Sequence, residues 1–204
     1  MNDESSGHPY PDRTPVDPIA RLRAAVLERG RIEGSLLKVD DFLNHRVDPS
    51  ILYDIGAALA GRFPAPDLIL TAEASGIPPA AAVALHVGVP FVYAKKFLGP
   101  GDRRAFSREV HSPTRGIEYR VEVSRRVLGA GLRVLVVDDF LSGGRTAEAL
   151  GEIAEEAACE VLGLGFVVEK SYAGGRERLA AHGWPVEALV RVGSLAAGTI
   201  DLLA

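Results

Sequence analysis

From residue 68 onward, short runs of apolar residues alternate with segments whose apolar residues recur every three or four positions. Such runs are typical of strands buried on both faces, and the segments between them are typical of helices. Strands are expected at 68–71, 90–94, 133–137, 161–168 and 186–192, and helices at 78–87 and 146–157. The alternation predicts an α/β fold with a mostly parallel sheet, whose ligands bind beyond the carboxyl ends of the strands.

Two further helices are predicted before the first of these strands. Asp17-Pro18 and Asp48-Pro49 each combine a residue that caps helices with the residue favoured in the first turn. Apolar residues with helical spacing follow in both places, over 19–29 and 51–62. Residues 1–16 are polar and rich in proline, which predicts a disordered tail. A single folded domain is therefore expected over 17–204.

Residues 97–126 do not follow this rhythm. The segment is rich in charge, and its apolar residues alternate, which predicts an exposed antiparallel hairpin: Ile117, Tyr119, Val121 and Val123. A long polar insertion after a core strand is commonly a lid or an interface arm, and a flexible arm is expected here. Its arginines are either solvated or directed at an anionic ligand, and the pattern leaves both open.

Composition narrows the classes of function. The chain has 204 residues, a net charge of −4 and one cysteine, Cys159. An acidic balance argues against a nucleic-acid partner, and the lone cysteine excludes an internal disulfide. No apolar run approaches the roughly 20 residues that span a bilayer, and no signal peptide precedes the fold. A cytoplasmic protein without a membrane partner is expected.

The segment 134–146 carries the clearest chemistry, because an apolar strand ends in Asp138 and Asp139 and a loop of small residues then leads into a helix. Gly143 and Gly144 allow backbone N–H groups to approach an anion, and the helix N-terminus favours negative charge. The carboxylates can accept hydrogen bonds from sugar hydroxyls. The pattern predicts a site for ribose 5-phosphate. The alternative is a purely structural strand–turn–helix, whereas phosphate-loop and dinucleotide motifs do not match.

This segment resembles the 5-phosphoribosyl diphosphate (PRPP) motif of type I phosphoribosyltransferases, and the similarity extends to the bacterial xanthine phosphoribosyltransferases. The similar stretches are Leu37–Pro49 (LKVDDFLNHRVDP), Glu73–Ala80 (EASGIPPA), Val89–Lys95 (VPFVYAK), Val134–Leu141, Val168–Ser171 (VEKS) and Gly175-Arg176. The loop SGGRT departs from the xanthine enzymes toward the general family pattern. The tail 1–16 lies outside the resemblance.

The resemblance implies a role for each matching residue. Asp138 and Asp139 are the implied catalytic pair, and the implied PRPP-binding residues are Ser142, Gly143, Gly144, Arg145 and Thr146. The implied base-binding residues are Leu37, Asn44 and Lys170. The implied pyrophosphate-binding residues are Glu73, Ala74, Ser75, Gly76 and Lys95, with Lys96 beside them, and a non-proline cis peptide is expected in the loop.

The resemblance also implies an architecture and a reaction. A central, mostly parallel sheet is flanked by helices, a small hood (about 30–48 and 186–204) and the arm 97–126, from which Arg103 or Arg115 reaches the diphosphate. The implied enzyme is a homodimer that transfers the phosphoribosyl group of PRPP to N9 of a 6-oxopurine, with xanthine favoured. Magnesium arrives with PRPP, and no protein-built metal site is expected. Three alternatives stay open: hypoxanthine, guanine or adenine as the base, a PRPP-sensing regulator, and a ribose-phosphate binder without turnover.

Overall fold

The computed structural model describes residues 17–97, 104–112 and 117–204. The described strands are β1 Arg31–Glu33, β2 Leu36–Lys38, β3 Leu68–Ala72, β4 Phe91–Phe97, β5 Ala105–Ser112, β6 Ile117–Ser124, β7 Arg133–Leu141, β8 Glu160–Lys170, β9 Val186–Ser194 and β10 Asp201–Leu202. The α-helices are α1 Pro18–Arg29, α2 Pro49–Ala60, α3 Ile77–Val87, α4 Arg145–Glu156 and α5 Gly175–Ala180. The predicted tail 1–16 lies outside the described residues.

Eight strands form one sheet in the order β10-β9-β8-β7-β3-β4-β6-β5, and β1 pairs with β2 in a separate hairpin. The five central strands run parallel to one another: β9, β8, β7, β3 and β4. The two edges are antiparallel, with β10 on β9 at one side and the β6–β5 pair on β4 at the other. The predicted α/β fold with a mostly parallel sheet is confirmed.

Helices cover both faces of the sheet, because alternate residues of each central strand point to opposite sides. On β7, Leu135 and Val137 pack in the core beneath α1, α2 and α3, whereas Val134 and Val136 pack in the core beneath α4 and α5. All four side chains are buried. This arrangement keeps the strands in fixed register and directs their carboxyl ends to one edge of the molecule.

The two predicted Asp-Pro helix starts are confirmed. The side chain of Asp17 accepts a hydrogen bond from the Ile19 N–H at 3.0 Å. The side chain of Asp48 accepts one from the Ser50 N–H, also at 3.0 Å. Each carboxylate satisfies an N–H group that the first turn leaves without an intrahelical partner.

The antiparallel hairpin predicted within 97–126 forms, but only one of its faces is exposed. Its inner face buries Phe106, Val110, Val121 and Val123 in the same core as α4. The hairpin therefore extends the central sheet through the pairing of β6 with β4, and its buried apolar side chains share a core with α4. Residues 98–103 and 113–116 of the predicted arm, including Arg103 and Arg115, lie outside the described residues.

The expected hood is smaller than the range 30–48 and 186–204. The β1–β2 hairpin and a π-helical turn, Asp40–Asn44, form its first part. Val186–Ser194 is instead a strand of the central sheet. It pairs in parallel with β8, and its residues Ala188, Val190 and Val192 are buried. Among the described residues, no helix has both the length and the apolar character needed to cross a bilayer.

Candidate active site

The carboxyl ends of β3, β7 and β8 lie side by side, since the three strands are parallel neighbours. This edge brings together three of the segments that the sequence singled out: the loop Glu73–Gly76 after β3, Asp138 and Asp139 on β7, and Lys170 at the end of β8. A fourth, the loop 142–146, follows β7 directly. The topology therefore joins residues almost 100 positions apart into one site.

The loop between β7 and α4 has the geometry expected of an anion site. Gly144 caps α4 with φ 76°, a left-handed conformation that favours glycine. A cavity of about 500 Å³ opens at this point, and its lining includes the whole loop and one carboxylate: Ser142, Gly143, Gly144, Arg145, Thr146 and Asp138. Backbone N–H groups and the positive end of the helix dipole favour a phosphate here.

Asp138 and Asp139 are adjacent residues near the carboxyl end of β7, and they contact each other. The backbone N–H of Asp139 donates to Asp138 Oδ1 at 2.9 Å, and the Asp139 side chain is buried. Burial, together with the adjacent Asp139 charge, raises the pKa of Asp138 well above its usual range, while Lys96 acts in the opposite direction. The protein therefore places the Asp138 carboxyl group where its ionised form is costly unless hydroxyl groups or a cation meet it.

The loop after β3 packs directly against this pair. The Glu73–Ala74 peptide is cis, as the sequence comparison with the family predicted. A Cβ atom on Gly76 would lie 2.5 Å from Asp138 Oδ1 and closer still to Thr71 Oγ1. A side chain at residue 76 would have to displace Thr71 or Asp138, so the absence of one lets the loop pack closely against the Asp138 carboxyl group.

Two of the predicted base residues line a second cavity of about 520 Å³, beside the pyrophosphate loop. Leu37 of β2 and Asn44 of the π-helical turn lie in its wall together with Glu73, Ala74 and Ser75. The Asn44 Oδ1 atom is buried, and it has no hydrogen-bond partner among the described residues. A ligand that enters this cavity can satisfy the atom with an N–H donor.

Lys170 is held elsewhere in the site, at the end of β8. Its Nζ lies 5.2 Å from the centroid of the Phe140 ring. Burial lowers the pKa of Lys170, and the negative charge of Asp139 partly offsets that effect. The lysine therefore lies within electrostatic reach of Asp139, and no hydrogen bond or ion pair of its ammonium is found among the described residues.

Comparison with known proteins identifies the chain. Residues 48–182 match the family model described as the phosphoribosyl transferase domain. The chain belongs to the phosphoribosyltransferase family. The xanthine phosphoribosyltransferase of Chloroflexus aurantiacus is 43% identical over 184 residues, 89% of this chain and 87% of that protein. The xanthine phosphoribosyltransferase of Laribacter hongkongensis is 43% identical over 178 residues, 85% and 94% of the two chains.

Solved phosphoribosyltransferases share the architecture. The adenine phosphoribosyltransferase of Rhodothermus marinus superimposes with a TM-score of 0.71 at 25% identity, over 86% of this chain and 98% of that one. The Saccharomyces cerevisiae adenine enzyme, solved with an imino-altritol bisphosphate and adenine, gives a TM-score of 0.69 at 28% identity, over 84% and 98%. The fold is the type I phosphoribosyltransferase fold, and the family resemblance in the sequence is confirmed.

One predicted pyrophosphate residue of this phosphoribosyltransferase lies on the other side of the sheet. Lys95 lines an outer cavity with Phe91, Tyr93 and Phe97, because the period of two along β4 puts these four side chains on one face. Lys96 faces the site: its N–H donates to Glu73 Oε1 at 2.5 Å and it lines the cavity with Asn44. Lys96 is thus the lysine beside the loop Glu73–Gly76, and the predicted pyrophosphate role of Lys95 stays a prediction.

Sequence reasoning missed a contribution from the hairpin. Tyr119 of β6 lines the phosphate cavity, and its hydroxyl lies 2.7 Å from Thr146 Oγ1. Lys96 Nζ lies 5.5 Å from the centroid of the Tyr119 ring. Tyr119 therefore contacts both Thr146 of the loop after β7 and Lys96 of β4. The alternating pattern placed this residue in a hairpin, but nothing in that pattern indicated which loop the hairpin would contact.

Two arginines of the hairpin have structural partners. Arg108 donates to Glu152 at 3.0 Å and to Glu156 at 2.6 Å, and Arg125 donates to Glu156 at 3.0 Å. These bonds fasten the hairpin to α4. Such paired, partly exposed arginines are not free to meet an anion in the site.

The sequence also gave no warning of the charge network beside Lys170. Glu169 is almost fully buried, and Arg176 donates to both of its carboxylate oxygens, with a shortest distance of 2.6 Å. Burial acts to raise the pKa of Glu169, but the hydrogen bonds and charge of Arg176 outweigh it and hold the pKa below its usual range. The pair fixes the end of β8, from which Lys170 extends.

Proposed function

We propose that this enzyme transfers the 5-phosphoribosyl group of PRPP to N9 of xanthine, releasing xanthosine 5′-monophosphate (XMP) and pyrophosphate. The observation that carries the choice of base is the position of Lys170 at the end of β8, beside Phe140 and near Asp139. An ammonium group donates hydrogen bonds and accepts none. It therefore favours a 6-oxo group over the 6-amino group of adenine.

The sequence relatives support this assignment, since those at 43% identity are named xanthine phosphoribosyltransferases. The structural relatives described above are adenine enzymes at 25–28% identity, so they support the fold and the shared reaction more than the base. Xanthine carries a second oxo group and two ring N–H donors on its six-membered ring. Asn44, with its unsatisfied Oδ1, offers an acceptor for such a donor.

The residues divide the work of the reaction. The loop 142–146 holds the 5-phosphate through its N–H groups, and Asp138 and Asp139 accept hydrogen bonds from the ribose hydroxyls. The loop Glu73–Gly76 and Lys96 hold the diphosphate. The purine N9 attacks the anomeric carbon from the face opposite the diphosphate, so the N9–C1′ bond forms and the bond to the diphosphate breaks with inversion, while the imidazole proton of the purine is released to solvent. Catalysis then consists of alignment and stabilisation of the departing charge.

Magnesium fits this donor set as a companion of the substrate. No group of three or more potential ligand side chains occurs in the described part of the chain, whereas Asp138 and Asp139 stand together beside the phosphate cavity. Mg²⁺ commonly uses one or two carboxylates, substrate phosphates and water. When bound, it neutralises charge on the diphosphate, and Asp138 and Asp139 are the residues that would hold it.

A homodimer and a cytoplasmic location are part of the same proposal. The outer face of β4 exposes Phe91, Tyr93 and Phe97 around a cavity of about 420 Å³, an apolar surface of the kind that marks protein contacts. Sedimentation velocity should give twice the chain mass, and Tyr93→Glu should shift it toward the monomer. A monomeric wild type would contradict the dimer.

The single cysteine fits a reducing compartment.

The function is tested by incubating the purified protein with PRPP, Mg²⁺ and xanthine and measuring XMP and pyrophosphate. Equal amounts of both products are expected, and Asp139→Asn should reduce kcat/KM by about 100-fold or more, the size typical of lost transition-state contacts. The absence of any nucleotide product with xanthine, hypoxanthine, guanine or adenine would overturn the proposal.

A further inference from the structure

The loop that meets the 5-phosphate contains two adjacent glycines, Gly143 and Gly144. A Cβ on Gly143 would meet nothing within 4 Å, whereas a Cβ on Gly144 would lie 3.0 Å from the Gly175 carbonyl oxygen, so packing against α5 constrains Gly144 and leaves open space at Gly143. Glycine pairs adopt alternative backbone conformations at little cost. Something outside the loop must hold this peptide if its N–H is to be available to an anion.

Arg178 of α5 makes that contact. Its Nε donates to the Gly143 carbonyl oxygen at 2.9 Å, and its Nη1 donates to Glu148 Oε2 at 3.1 Å. Both bonds come from one planar guanidinium, whose fork suits two acceptors at once. We propose that Arg178 is a positioning residue for the 5-phosphate loop. This inference rests on the proposed function, because it specifies how that function's phosphate subsite is kept in its binding form.

The geometry of the peptide unit explains the effect. In a trans peptide the C=O and N–H groups point in opposite directions. When the Gly143 carbonyl accepts from Arg178, the Gly144 N–H therefore points away from α5. In that orientation the N–H can donate to an anion in the cavity that both glycines line. A reversed peptide would present a carbonyl oxygen to the phosphate. The cost of reversal is then the loss of a hydrogen bond from a charged donor.

Arg178 is itself held in place by α4 and the segment after α5. Glu148, its acceptor, lies 3.1 Å from His182 Nε2, and the His182 ring stacks on Trp184 with centroids 4.2 Å apart. Glu148 also donates its N–H to the Gly144 carbonyl at 2.8 Å. The loop is thus clamped at both glycine carbonyls by groups that belong to one connected cluster.

The test separates the phosphate subsite from the rest of the site. In Arg178→Gln, the inhibition constant of ribose 5-phosphate and the KM of PRPP should rise about tenfold, the equivalent of one hydrogen bond from a charged donor. The inhibition constant of pyrophosphate and the KM of xanthine should change less than about twofold, because Arg178 contacts neither subsite.

Arg62 provides a matched control. Its Nη1 donates to Glu187 Oε2 at 3.0 Å and to the Ala188 carbonyl at 2.8 Å, so it also joins one carboxylate and one backbone oxygen. It lies beside the start of β9, at the end of the sheet opposite the site. Arg62→Gln should lower the melting temperature by about as much as Arg178→Gln does, because each variant loses two hydrogen bonds. It should leave the inhibition constant of ribose 5-phosphate unchanged.

The outcomes are distinct. Equal shifts in the ribose 5-phosphate constant for Arg178→Gln and Arg62→Gln would overturn the positioning role, as would an unchanged constant in Arg178→Gln. A wild type without transferase activity would instead overturn the proposed function. Arg178→Lys keeps the charge but loses the planar fork that reaches the Gly143 carbonyl and Glu148 together, so a rise of about threefold is expected. This variant also decides the matter if Arg178→Gln does not fold, since no rise would contradict the inference.

Discussion

At the scale of single residues, the site contains charged groups in positions where burial opposes their charge. Lys170 is the clearest case, because burial lowers its pKa and its ammonium group lies over the aromatic ring of Phe140. A lysine with few partners in the free enzyme is ready to donate to a ligand. The same burial makes the residue costly to the folded state, a common exchange of stability for function.

Lys170→Met keeps the apolar stem beside Phe140 and removes the ammonium. The KM of xanthine should rise by about tenfold or more, since a hydrogen bond from a charged donor is lost. The KM of PRPP should not change. Because the lowered pKa means that the charged form destabilises the fold at neutral pH, the variant should also melt at a higher temperature at pH 7. An unchanged KM for xanthine would remove Lys170 from the base site.

Asp138 gives a prediction about pH. Its pKa is raised in the folded protein, so the stability contributed by its neutral form is present below the unfolded pKa and is lost as pH rises toward and through the folded value. Asp138→Asn keeps Oδ1 as acceptor for the Asp139 N–H and cannot ionise. Its melting temperature should therefore exceed that of the wild type by a margin that grows as pH rises above the ordinary range of a carboxyl group.

Asp67→Asn is the control for this pH series, with the opposite sign. Arg133 lowers the pKa of Asp67 to about 2, chiefly through a hydrogen bond, so ionised Asp67 favours the fold above its unfolded pKa. This variant should be less stable than the wild type at neutral pH, and the difference should shrink as pH falls. A margin for Asp138→Asn that stays constant with pH would contradict the assigned pKa shift.

At the scale of elements, the strands and helices of the central sheet were predictable because their apolar runs and Asp-Pro caps are local signals. The motif 134–146 was predictable for the same reason, since strand, loop and helix follow one another in the chain. The sequence did not separate Lys95 from Lys96, because adjacent residues of a strand point to opposite faces and neighbouring strands decide which face meets the site. Tyr119 and Arg178 reach the phosphate loop through packing, which no local pattern records.

The loop between β3 and α3 should tolerate no side chain at Gly76. A Cβ there would lie 2.5 Å from Asp138 Oδ1, so Gly76→Ala must displace the carboxylate or the loop. A loss of about 1–3 kcal/mol in the free energy of unfolding is expected from overpacking, together with a raised KM for PRPP. Gly61→Ala is the control, because its Cβ would meet no atom closer than 3.6 Å. Equal stability of the two variants in urea denaturation would contradict the packing argument.

At the scale of the whole molecule, a chain with a net charge of −4 is proposed to bind a highly anionic substrate. Overall charge cannot supply the attraction, so the site must do so locally. In the proposed function, the attraction comes from N–H groups at the start of α4, from Lys96 beside the loop Glu73–Gly76, and from a metal ion that accompanies PRPP. Many of the chain's other cations are paired, as Arg108 and Arg176 show. Their position in the fold, and not their number, decides which of them meet the substrate.

The most direct measurement of the central claim is a competition among bases. The enzyme is mixed with limiting PRPP, Mg²⁺ and equal concentrations of xanthine, hypoxanthine, guanine and adenine, and the four nucleoside monophosphates are separated and quantified. XMP should be the most abundant product and AMP the least, and XMP should exceed AMP by about tenfold or more, the discrimination available from the one charged hydrogen bond that Lys170 donates to a 6-oxo group. Predominance of AMP would contradict the role of Lys170 and the proposed 6-oxopurine specificity.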